Sequence, residues 1–156
     1  MNLAEGVNIK SLVLAGFIAG YVMYVVDLAL DGWFGLFGTY RIYRQWLVDA
    51  GLFPGFEDIA LFIGHQLNGI LFGFLFAYPP VYRLLPGNPL VKGIIFGNIW
   101  HILVLLVSFL FGKTGAIWLN GLLTMSVEAH ISLYLLHIIW STTLAVFYKP
   151  VHVHGR

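Results

Sequence analysis

Three histidines, His65, His101 and His137, each stand inside a long apolar run and each lies four residues from a small residue. His65, Gly69 and Gly73 fall on one stripe of a helix, since residues four apart share a face. Gly93, Gly97 and His101 repeat the pattern in reverse order, and His137, Ser141 and Ala145 repeat it with small residues in place of glycine. A fourth run carries Gly16, Gly20 and Tyr24, with Asp27 about one turn further on. Imidazole suits zinc, copper, iron and nickel, so His65, His101 and His137 with the Asp27 carboxylate make a four-ligand metal set. The alternative is a b-type haem with two axial histidines from different helices, for which His101 and His137 are the best pair, with His65 nearby. In that case the glycines would let a porphyrin plane approach. Hydrogen-bonded packing histidines are the plainer reading. Against it stands the expense of ionisable groups at membrane depth, which makes them functional candidates by default.

Further polar groups border the same layer. Tyr24, Asp31, Asn68, Glu128, His130 and Tyr134 are candidates for supporting the histidines or for a proton path. Asp27 and Asp31, one turn apart, could also hold a cation, or simply mark the interface. With no cysteine in the chain, thiolate sites, iron–sulfur clusters and disulfides are excluded. No nucleophile–base pair, phosphate loop or histidine box is evident, and His152 and His154 belong to a short polar tail.

Elements long enough to carry these stripes follow from composition. The 156 residues are 60% hydrophobic and only 10% charged, with a net charge of +1. A soluble domain carries about 25% charged residues, and a near-neutral chain offers nucleic acid little to hold. The chain therefore reads as one all-α integral membrane domain over residues 1–156. Its spans lie at about 11–30, 59–80, 93–112 and 127–148, since a helix needs roughly 20 apolar residues to cross the hydrocarbon core. At about 1.5 Å per residue, His101 and His137 lie roughly 15 Å below the acidic-side ends of their helices, and His65 roughly 10 Å. Small residues four apart predict GxxxG-type contact between helices, using Gly16, Gly20, Gly69, Gly73, Gly93, Gly97, Ser141 and Ala145. Between the first two spans, Trp33, Tyr40, Arg41, Tyr43, Arg44 and Trp46 predict an interfacial segment. The apolar stretch 116–125 is too short to span and is expected to lie flat or re-enter before the fourth helix.

Lys10, Arg83, Lys92, Lys149 and Arg156 fall on the side of both termini, against Arg41, Arg44 and Lys113 opposite. The positive-inside rule thus puts both termini in the cytoplasm, with a prokaryotic cytoplasmic membrane as the expected location. The run Ala15-Gly16-Phe17-Ile18-Ala19-Gly20-Tyr21-Val22-Met23, together with Gly64-His65-Gln66-Leu67-Asn68-Gly69, resembles small uncharacterised bacterial four-helix membrane proteins with a Gly-rich first helix. The resemblance implies a four-helix bundle and no particular chemistry. Three functions follow as expectations. The first is a haem or metal site serving membrane electron transfer within a larger complex. The second is a non-catalytic subunit docked on other membrane subunits or on copies of itself. The third is a carrier of protons or a small solute.

Overall fold

The computed structural model describes residues 5–35, 38–114 and 117–151. Every regular element among them is helical: α1 Ile9–Phe34, α2 Thr39–Asp49, α3 Glu57–Ala77, α4 Pro79–Leu84, α5 Pro89–Phe111, α6 Ile117–Thr124 and α7 Val127–Phe147, with a 3-10 turn at Gly112–Thr114. Four of them, α1, α3, α5 and α7, are long and apolar enough to cross a membrane. Large apolar side chains such as Leu14, Phe17, Leu67, Leu71, Ile102, Phe109 and Ile131 are exposed on their outer faces. Such a surface is stable in contact with lipid and unstable in contact with water.

Local chemistry sets the helix ends. Asn8, Asn88 and Ser126 accept hydrogen bonds from the backbone N–H groups of Ser11, Val91 and Ala129, capping α1, α5 and α7. Pro89 then takes the first position of α5, where a missing N–H is harmless, so that helix begins a turn before the expected boundary. The expected second span to residue 80 stops earlier, at Ala77. Tyr78 precedes a proline and is extended (φ −60°, ψ 122°), and Pro79 and Pro80 open α4 instead. At the other end of the first connection, α1 continues to Phe34, and Gly35 closes it in the left-handed conformation with φ 63°.

The long helices pack in the order α3, α1, α7, α5, while α3 and α5 have almost no direct backbone contact. Glycine sets the closest approaches. A methyl built on Gly16 would stand 2.8 Å from Ile70 Cα, and one on Gly69 would stand 3.0 Å from Gly16 O. On the α5–α7 seam, a methyl on Gly93 would meet Thr142 Cα at 2.6 Å, and one on Gly97 would collide with Ser141 Oγ. Between α3 and α5, aromatic rings bridge what the backbones do not. Phe72 and Trp100 have ring centroids 4.6 Å apart, and Phe76 and Phe96 5.2 Å. Asn8 Nδ2 donates to Lys149 O at 3.0 Å and Lys149 N donates to Ser11 Oγ at 2.7 Å, which ties the start of α1 to the end of α7.

Candidate functional site

His101 and His137 meet directly. Their Nδ1 atoms are 3.0 Å apart, both residues are buried, and the ring centroids are 5.2 Å apart. One imidazole must donate and the other accept, because a single N–H fills the gap. The Tyr134 ring packs on His101 at 5.2 Å and its hydroxyl donates to Asn98 Oδ1 at 3.0 Å. His65 turns instead toward α1, with Nε2 3.2 Å from Gly20 O.

Beside the pair lies a cavity of about 180 Å³, open on one side and lined from five helices. Met23 comes from α1 and Tyr43 from α2. His65, Asn68, Gly69 and Phe72 come from α3, Trp100 and Val104 from α5, and Leu133, His137 and Trp140 from α7. The missing backbone contact between α3 and α5 leaves this space, and Asn68 is exposed at its mouth. Trp140 is 4% exposed, yet its indole Nε1 has no hydrogen-bond partner. That atom would stand 3.5 Å from a methyl on Gly69, so the glycine leaves the room in front of the N–H.

The acidic groups do other work. Asp27 is buried and accepts from the Thr39 N–H at 3.2 Å and the Tyr40 N–H at 2.7 Å. The cap position of α2 is Gly38, which has no side chain to offer, so the α1 carboxylate satisfies the free amides at that helix start. Asp31 pairs with Arg41 Nη2 at 2.9 Å. Arg44 Nε donates to Asp58 at 2.8 Å and the Tyr40 hydroxyl donates to Asp58 O at 2.9 Å, fixing α2 against α3. Burial, with the Asp27 charge, pushes the Tyr43 phenol up to about 12, and burial with its Tyr24 neighbour pushes Tyr40 up as well. Both stay protonated donors across ordinary pH. The Tyr24 ring itself packs edge-on against Tyr40 at 4.8 Å and Phe62 at 5.3 Å.

The expected four-ligand metal set of His65, His101, His137 and Asp27 is not brought together. Among the described residues no three His, Asp or Glu side chains could hold a metal ion. The groups turn to different partners: both Asp27 oxygens accept from α2 amides, His65 Nε2 faces Gly20 O on α1, and His101 and His137 face each other. Asp27 and Asp31 both serve as anchors for α2, Asp27 through the Thr39 and Tyr40 amides and Asp31 through Arg41. Glu128 is exposed in the first turn of α7 and His130 is half-buried a little beyond it. Residues 152–156, including His152 and His154, lie outside the described residues.

Histidine spacing does not point to Trp100 and Trp140, which line the cavity, or to Gln66, whose side-chain amide is buried without a hydrogen-bond partner. Tryptophan favours the two membrane interfaces, so Trp100 at the middle of α5 and Trp140 about two turns inside the end of α7 carry a signal that spacing of histidines alone does not read. No protein-family model, curated protein or solved structure matches the chain.

Proposed function

We propose that the chain is an integral membrane protein, both termini cytoplasmic, that binds a small ring compound taken from the surrounding lipid into the crevice between α3 and α5. The observation that carries this reading is the buried, unpartnered Trp140 N–H in a partly open cavity walled by Phe72, Trp100, His65 and His137. A buried donor without a partner is costly, and a ligand carrying an acceptor would relieve that cost. The volume suits one ring: an apolar cavity of about 150 Å³ is enough to bind benzene. A concave, mostly apolar pocket with a few convergent polar groups is the usual form of a small-molecule site.

A haem held between His101 and His137 has less support. Two nitrogens on opposite sides of one metal stand about 4 Å apart when each bond is about 2 Å, whereas these rings contact each other at 3.0 Å. A service in electron transfer would then come through the ligand.

Fluorine NMR of para-fluorotoluene added to the protein in lipid nanodiscs tests the reading. The expected result is a saturable bound resonance that is missing from protein-free nanodiscs and is lost when Leu133→Trp fills the cavity. An intense Soret band in the purified protein, or no bound resonance at any loading, would overturn it.

A further inference from the structure

Resting on that reading, we propose that the bound ring carries a hydroxyl group, so that the ligand class is a bilayer-soluble phenol or hydroquinone. The cavity makes two opposite demands. The Trp140 indole N–H can only donate, and it has no partner. His65 is constrained the other way. Its Nε2 lies 3.2 Å from Gly20 O, and a carbonyl oxygen only accepts, so Nε2 must carry the proton. A neutral imidazole protonated at Nε2 leaves Nδ1 as a bare lone pair, and His65 lines the same cavity.

Two groups of fixed role thus stand on lining residues of one cavity: a donor on Trp140 and an acceptor on His65, which also borders a smaller cavity beside Asp27 and Tyr40. A hydroxyl is the smallest group that answers both. Of these two fixed groups, a quinone or aldehyde carbonyl answers Trp140 alone, and a hydrocarbon answers neither. The other polar groups on the wall are not fixed in role. Asn68 and the Tyr43 hydroxyl can each give or receive. His137 shares its Nδ1 with His101, so its Nε2 donates or accepts according to which ring holds the shared proton. Phe72 and Trp100, 4.6 Å apart by ring centroids, supply aromatic walls against which a ring can stack or meet edge-on.

Three fluorinated rings of similar size separate the demands: para-fluorotoluene, para-fluorobenzaldehyde and para-fluorophenol, each titrated by fluorine NMR into the full chain in nanodiscs. The expected order is phenol tightest, aldehyde intermediate and toluene weakest, with about tenfold between the extremes, the worth of one to two hydrogen bonds. Trp140→Phe keeps a buried ring but removes the N–H, and it should erase the aldehyde's advantage over toluene. His65→Phe should erase the phenol's advantage over the aldehyde. Unchanged toluene binding in each variant reports an intact cavity, and should His65→Phe fail to fold, Trp140→Phe decides. Phenol and toluene binding within twofold of each other would overturn the hydroxyl assignment and leave ring binding standing. So would a phenol preference undiminished in Trp140→Phe. If no ring binds at all, it is the underlying reading that fails.

Discussion

His101 and His137, from antiparallel neighbours α5 and α7, share one proton across a 3.0 Å gap between their Nδ1 atoms. Both are buried, so removing either one strands a polar nitrogen in an apolar interior. His101→Ala or His137→Ala is expected to destabilise the fold by about 1–3 kcal/mol. Replacing both by Ala should cost clearly less than the two single losses added together, because contacting pairs are coupled. Reversible unfolding in mixed micelles measures the cycle, and strict additivity would contradict the shared proton.

Glycines on the seams and glycines off them should behave oppositely. Gly93→Ala forces a methyl to within 2.6 Å of Thr142 Cα, a backbone atom that cannot turn aside. A loss of about 1–3 kcal/mol is expected, as for other overpacked sites. Gly64 has nothing within 4 Å of an added methyl, so Gly64→Ala should cause no loss of stability. Thermal melts of the two variants side by side check the contrast.

Asp27 holds the first amides of α2 across twelve residues of sequence. Asp27→Asn keeps the shape and one acceptor but removes the charge that strengthens both hydrogen bonds. Faster amide exchange is expected at Thr39 and Tyr40, with the middle of α1 unaffected. Equal protection in the variant and the native protein would show that the carboxylate is dispensable as a cap.

Alkaline pH should weaken the protein through Tyr43. Its phenol is raised from 10.0 to about 12 in the folded state, so its contribution to stability is complete below pH 10 and declines as pH climbs toward 12. In that window the unfolded chain ionises while the folded one does not. Melting temperatures measured across pH 9 to 12 should fall less steeply in Tyr43→Phe, with Tyr40, Tyr82 and Tyr148, all raised by burial, contributing to the slope that remains. An identical slope would place the alkaline sensitivity elsewhere.

Crossing helices and histidine spacing were legible in the sequence because both follow from simple periodicities. Hydrophobic run length marks the four long helices, and the four-residue interval puts His101 and His137 on faces that α5 and α7 turn toward each other. Equal depth was also readable, and yet it did not decide contact. His65 lies near the same level and bonds to Gly20 O on α1 instead, because helix rotation, and not depth, chooses the partner. Asp27 looked like a ligand because an isolated carboxylate in an apolar run shows its cost and not its partner. That partner is the unsatisfied start of α2, whose cap residue, Gly38, has no side chain. The cavity was the least legible part, since it arises where the backbones of α3 and α5 stay apart, and no local pattern encodes a gap between helices distant in sequence.

The seam between α3 and α5 carries one practical consequence. On the proposed reading, a doorway there that gives onto acyl chains would be supplied from a two-dimensional solvent, so occupancy would follow the guest's abundance per lipid molecule and not its aqueous dose. Adding empty vesicles to a half-saturated sample should therefore strip the guest from the protein by simple dilution within the oil phase. A binding constant quoted per litre of buffer would drift with every change in lipid content.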